Sequence, residues 1–407
     1  MIGARTQGHP AALAAVGAMI RGGAPGAVLL VGPAGIGKTT LALDLAAGLL
    51  CEAADPGERP DGACRACRLV AHGTHADVHH LGPEGPGRQV VIGGPGKPRG
   101  IRDLIAELAL LPVEGGARVA IVEAAHRMNE DAQAALLKTL EEPPARTTII
   151  LCADAEEPLL PTIRSRCARI RLGPVAVRDI ESILTELGAA DAPLGARLAR
   201  IADGRPGLAL AWARRPDALR ERDALGRALL DLAVARPADR LQGIRAIAAQ
   251  AASLTVVTEA VATAESAVGD GVSPRTRRGK AAVPRPSTGD APDDEGIVDE
   301  GVSTDEPTTP VRAPATERRR AAEAVLSLWT DVTRDLALCQ LGLEQAVRDL
   351  ARLDDTQALA TELEPDEVVT FLDRLGRATV LLTTNVSPEL VLDDLALAWP
   401  RPRRRAA

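Results

Sequence analysis

The segment GPAGIGKTT has the spacing Gly32-x4-Gly37-Lys38-Thr39, followed by Thr40. Gly35 and Gly37 let the backbone turn its N–H groups toward phosphate oxygens. A helix starting at Lys38 would present its positive end to the same oxygens. Lys38 has the reach for β- and γ-phosphates, and the Thr39 hydroxyl suits a Mg²⁺ position. Such a loop needs an acid at the end of a second strand. The run RVAIVEAAHRM supplies Glu123, longer than the usual Asp but able to hold Mg²⁺ through water. The next residue, which would activate the attacking water, is Ala124, and Ala125 cannot replace it. In-line hydrolysis needs a positioned water, so the site is expected to hold ATP or ADP with Mg²⁺ better than it hydrolyses ATP. His126 lies close by; its plainer reading is a residue at the start of a helix rather than a base.

A second group of chemically competent residues follows. Three of the six cysteines cluster, as Cys51, Cys64 and Cys67, while Cys152, Cys167 and Cys339 stand apart. The Cys64-x2-Cys67 pair can clamp one face of a tetrahedral zinc, with Cys51 as a third thiolate. Asp61, three residues before Cys64, is the candidate fourth ligand, with His72 and His75 as alternatives. The other readings are a hairpin of free thiols and a redox pair, the latter without a thioredoxin-like strand–helix context.

These residues need a scaffold, and the hydrophobic pattern describes one. GAVLLVGP, RVAIVEAA and RTTIILCAD are short apolar runs of the kind found in strands buried on both faces. Helical spacing follows in GKTTLALDLAAGLLC and in NEDAQAALLKTLEEPP, the latter with Asn129 as N-cap and Pro143–Pro144 as the stop. Strands alternating with helices predict an α/β class with a parallel, doubly wound sheet. From Val175 to Ala213 the pattern turns helical, and three more helices follow residue 316, one of them starting at Ser387-Pro388-Glu389. Residues 268–316 are rich in Pro, Gly, Ser, Thr and charge and bury too little to order themselves. They read as a disordered insert, either a docking tail or simply solvated.

Composition excludes other classes. The chain has 407 residues and a net charge of −7, which argues against coating nucleic acid by bulk charge. With one Phe, three Trp and no Tyr it lacks base-stacking platforms. No run of about 18 apolar residues and no basic-then-apolar leader occurs, so the expected location is the cytoplasm, without a membrane partner.

Taken in order, the P-loop, the Cys hairpin running into CRLVAHGTHADVHHL, the stretch IRDLIAELALLPVEGGARVAIVEAAHRMNEDAQAALLKTLEEPP, then LLPTIRSRCARIRL and TTNVSPELVLDDLALAWP resemble the bacterial clamp-loader ATPases of DNA polymerase III. LLKTLEEPP together with SRC is a specific pair. The resemblance spans nearly the whole chain outside the insert. It implies an AAA+ core over residues 1–174 with the Cys hairpin 51–67, a helical lid over 175–225, and a helical collar over 226–407 interrupted by the insert.

Within the family, motor chains of the gamma/tau type carry an Asp-Glu pair after the second strand and four zinc cysteines. Glu123-Ala124 instead resembles the delta-prime branch, the stator of a pentameric ring that loads the sliding clamp on primed DNA. Partners implied are gamma/tau and delta subunits, with clamp and DNA met through the complex of a nucleotidyltransferase. The resemblance makes Arg166 of SRC an arginine finger acting in trans on a neighbouring motor site. It puts Asp154 where the motor has a sensor hydroxyl, and Arg205 at a lid sensor position, the bland alternative being a helix-end Arg. An active gamma/tau-like ATPase and a P-loop kinase of small molecules are the competing readings. The kinase leaves the hairpin, SRC and the helical C-terminus unexplained.

Overall fold

The computed structural model describes residues 2–402 apart from 84–88, 96, 115, 252–253, 258–260, 262–313, 383 and 385. Residues 268–313 of the expected disordered insert therefore lie outside the described residues. Its last residues do not: a long helix already begins at Ala315.

Five strands form one parallel sheet: β1 (Ala27–Val31), β2 (Val78–Leu81), β3 (Arg118–Val122), β4 (Thr147–Ala153) and β5 (Ala168–Arg171). Their spatial order is β2-β3-β4-β1-β5, all neighbours parallel. The three strands expected from apolar runs are the central three. Every residue of β3 and β4 is buried, as a sheet covered on both faces requires. Successive side chains point to opposite faces. Val28, Leu30, Val119, Ile121 and Ile150 pack beneath helices Pro10–Gly22 and Lys38–Leu50. Leu29, Ala120, Val122, Ile149 and Leu151 pack on the other face against helices Ile101–Leu108 and Glu130–Glu141. The edge strands VHHL and ARIR are half exposed and carry no continuous apolar run.

Two sequence signals appear as local structure. Asn129 Oδ1 accepts from the backbone N–H of Ala132 at 2.9 Å, capping Glu130–Glu141. Gly37, with φ 108°, precedes the helix Lys38–Leu50.

After β5 the chain is helical among the described residues. The stretch expected as one helical region divides into Val177–Glu186, Ala192–Ile201 and Pro206–Ala213. The limit expected between residues 225 and 226 falls inside the continuous helix Pro216–Asp231. The helices Ala315–Gln340, Leu353–Ala360, Pro365–Leu382 and Pro388–Ala398 follow, the second of them not legible in the pattern. One hydrophobic core runs from Val175 through Trp212 and Leu229 to Trp329, Phe371 and Trp399, so the lid helices and the C-terminal helices share packing. Trp329, Phe371 and Trp399 form a mutually tilted trio with ring centroids 4.6–5.4 Å apart. Beside it, the fully buried Arg240 donates to the carbonyl oxygens of Ala233, Ala235, Ala396, Trp399 and Pro400 at helix ends.

Candidate functional site: the P-loop, the cysteine hairpin and Arg166

In open parallel sheets, ligands bind beyond the carboxyl ends of the strands. The loop 32–37 leaves the end of β1, Glu123 follows β3, and Asp154 follows β4. Gly32 N–H donates to Ala153 O at 3.1 Å, which ties the first loop residue to the neighbouring strand end. Gly35 and Gly37 both have positive φ, 79° and 108°, as the tight loop needs. Lys38 and Thr39 are buried at the start of the following helix.

The Lys38 ammonium is fully engaged. Its Nζ donates to Gly32 O at 2.8 Å, Pro33 O at 2.9 Å and Asp154 Oδ1 at 2.8 Å. Asp154 is steadied in turn by His126, whose Nδ1 accepts from the Asp154 N–H at 3.1 Å and whose Nε2 lies 3.6 Å from Asp154 Oδ2. Burial lowers the His126 pKa from its ordinary value, against the pull of the Asp154 carboxylate, and so favours the neutral imidazole. His126 is thus a support for Asp154. Glu123 is buried, its N–H bonded to Leu81 O at 2.8 Å. Ala124 adopts the left-handed region, φ 46° and ψ 43°, uncommon for a residue with a Cβ.

A cavity of about 930 Å³ opens beside the loop, bordered by Thr6, His9, Gly35, Gly37, Thr39, Thr40 and the lid residues Pro206, Arg214 and Arg215. Its N-terminal wall is held by the buried Asp44, which accepts from the N–H groups of Arg5 and Thr6, and by a contact of His9 Nε2 with Ile36 O at 2.9 Å. The lid sits directly on the loop: Gly207 N–H donates to Gly35 O at 2.9 Å, and a Cβ on Gly207 would meet Gly35 backbone at 3.1 Å. Arg205 does not border this cavity. It is half-buried, its Nε donates to Ala202 O at 3.1 Å, and its charged neighbours are Asp331, Asp203 and Arg348. The lid cations at the cavity are Arg214 and Arg215, which no motif marked.

Cys51, Asp61, Cys64 and Cys67 come together with their ligand atoms all within 4.8 Å of one another. The Cys51 and Cys64 sulfurs are 3.9 Å apart. A tetrahedral zinc with Zn–S bonds of about 2.3 Å needs S···S near ~3.8 Å, so the donor set fits that ion. Cys64 Sγ also accepts from the Cys67 N–H at 3.4 Å, which suits a thiolate. Asp61 Oδ1 accepts from the N–H groups of Ala63 and Cys64, which holds its carboxyl well below the usual range and ionised. His75 is buried elsewhere, accepting from Asp77 N–H and facing Glu114, and His72 is exposed. Neither joins the group. Cys51 closes the P-loop helix, and Cys67 lies against Ala47 O of that helix, so this cluster buttresses the far end of the phosphate-loop helix.

Arg166 ends the short helix Pro161–Arg166 and is about a third exposed. Cys167 beside it turns into the core, and burial pushes its thiol up to about 11. The Arg166 guanidinium is held by Glu141 Oε1 at 2.6 Å and Thr162 O at 3.0 Å, and it does not border the chain's own cavity.

The family described as "DNA polymerase III, delta subunit" matches residues 13–176. The Pseudomonas aeruginosa protein named DNA polymerase III subunit delta' is 41% identical over 148 residues, 35% of this chain and 42% of that one. The Escherichia coli subunit delta' is 38% identical over 186 residues, 46% of this chain and 53% of that one. The Escherichia coli subunit tau is 33% identical over 183 residues, 44% of this chain and 27% of that one. The chain thus spans about half, or less, of the length of the curated relatives it matches. Residues 13–176 are thus similar to the DNA polymerase III delta-type family, and relatives at 38–41% identity carry the name subunit delta'.

Proposed function

We propose that this chain is the delta-prime-type stator of a bacterial clamp loader, a ring subunit that serves a neighbour's ATP site more than its own. The observation that carries this reading is the pairing of Ala124 with Arg166. The residue after Glu123 has no group to polarise water, while Arg166 is presented on the surface away from the chain's own cavity. A guanidinium there offers bidentate hydrogen bonds and neutralises charge that develops in phosphoryl transfer. Glu141 holds the guanidinium until a phosphate competes.

In this reading Gly32, Gly35, Gly37, Lys38, Thr39 and Thr40 hold the phosphates of ATP or ADP, with Thr39 and Glu123 toward Mg²⁺. The nucleotide supplies shape to the ring rather than turnover. Arg205, half-buried near Asp203 and Asp331, acts on the lid's own packing, and Arg214 and Arg215 take over as lid cations at the cavity. A structural zinc on Cys51, Asp61, Cys64 and Cys67 would brace the P-loop helix. The three functional units run over residues 1–174, 175–215 and 216–407, with gamma/tau and delta subunits as ring partners, clamp and primed DNA met by the assembly, and work in the cytoplasm. No helix among the described residues is long and apolar enough to cross a membrane.

The test is reconstitution with motor and delta subunits. Arg166→Ala is expected to leave assembly intact and to silence the one motor site it serves, a finger being worth about 10³–10⁵ there. DNA-stimulated ATPase and clamp loading both fall. An unchanged rate removes the finger role. The intact P-loop and Glu123 keep one competing reading, a self-sufficient motor; brisk single-turnover hydrolysis by the isolated chain, abolished by Lys38→Ala, would establish it instead.

A further inference from the structure

We propose that Asp154 makes the phosphate site select a nucleoside diphosphate over a triphosphate. The inference deepens the nucleotide reading of the P-loop and rests on it. Lys38 and Asp154 are 116 residues apart in sequence, yet their charges meet at 2.8 Å at the carboxyl ends of the adjacent strands β1 and β4. Lys38 is 1% exposed, with the carbonyls of Gly32 and Pro33 as its remaining partners.

The carboxylate cannot easily swing away. Its main-chain N–H is bound by His126 Nδ1, so a neutral His126 carries its proton on Nε2, facing Asp154 Oδ2. The arrangement holds an anion beside the ammonium that must meet the terminal phosphate.

A lysine at this position in a P-loop reaches the β- and γ-phosphates. A β-phosphate seated in the backbone cradle of Gly35–Thr39 can share the three ammonium donors with Asp154. A γ-phosphate adds a second anion within a few ångströms of the carboxylate. Repulsion at that range, discounted because Asp154 is about one-third exposed, is worth about tenfold in affinity. The same carboxylate disfavours charge gathering on a transferred phosphoryl group, which accords with Ala124 in the adjacent turn.

The test uses the full chain with Mg²⁺ and fluorescent ADP and ATP analogues, titrated into the native protein, Asp154→Asn and Lys38→Ala, with thermal melts confirming that each is folded. The native protein is expected to bind the diphosphate about tenfold more tightly than the triphosphate. Asp154→Asn is expected to gain triphosphate affinity so that the ratio approaches one, and Lys38→Ala to lose both. A native ratio near one, or an Asp154→Asn ratio equal to the native one, overturns the selection. Failure of the folded native protein and Asp154→Asn to bind either nucleotide overturns the underlying reading of the loop instead.

Discussion

Replacing Asp349 with Asn should weaken the union of lid and C-terminal helices by an amount the structure allows one to work out. The Asp349 carboxylate is fully buried. Arg222 approaches it at 2.7 Å, Arg352 at 3.0 Å and Arg197 at 3.2 Å, so lid helix Ala192–Ile201 is tied to the C-terminal region through one anion. Burial by itself would raise the Asp349 pKa. The guanidiniums of Arg352, Arg222 and Arg197 together overcome that and hold it at about 2, against an ordinary value of 3.8.

The folded state thus favours the ionised form by 3.8 − 2, or roughly two pH units, which is on the order of 2 to 3 kcal/mol. Because the folded pKa is depressed, this stability is present above the unfolded value and is lost as pH falls through the folded one, a window from about pH 4 to about pH 2. At pH 7 the Asn variant also leaves the buried guanidiniums of Arg222 and Arg352 and the half-buried one of Arg197 short of a counter-charge, with Asp223 and Asp331 as partial substitutes. A loss of about 2 to 5 kcal/mol is therefore expected.

The assay is urea denaturation followed by tryptophan fluorescence. All three tryptophans, Trp212, Trp329 and Trp399, sit in the core shared by the lid and C-terminal helices, so the signal reports the region concerned. The gap between native and Asp349→Asn proteins should shrink as pH falls from 4 to 2. Equal stability at pH 7, or a gap that stays constant across that window, would refute the reasoning.

Two further outcomes are expected. The purified protein should carry stoichiometric zinc by elemental analysis, Cys64→Ser should lose it, and Asp61→Asn should hold it more weakly; a metal-free protein from zinc-replete cells, with Cys51, Cys64 and Cys67 freely alkylated, would exclude the site. Arg240→Met removes the donor for five helix-end carbonyls and should cost about 3 kcal/mol or more, read as a lower urea midpoint in the same fluorescence assay.

The residue order alone determined what local physics controls. The P-loop, the three apolar central strands, the Asn129 cap and the Cys64-x2-Cys67 pair were legible because each is a short-range pattern with its own energetic reason. The absence of a base at Ala124 was legible in the same way. Only the tertiary structure decided the rest. The edge strands VHHL and ARIR are strands because β3 and β1 offer them hydrogen-bonding partners, not because of their own apolar content. Arg205 lies near Asp203 of the lid and Asp331 of a C-terminal helix, and the cavity receives Arg214 and Arg215 instead. The helix Pro216–Asp231 crosses the expected limit because lid and C-terminal region share one core. The fourth member of the metal cluster was open among Asp61, His72 and His75 until folding placed Asp61 beside the thiols. The meeting of Lys38 with Asp154 lay beyond any local pattern. It depends on two strands, far apart in the chain, lying side by side and ending at the same edge of the sheet.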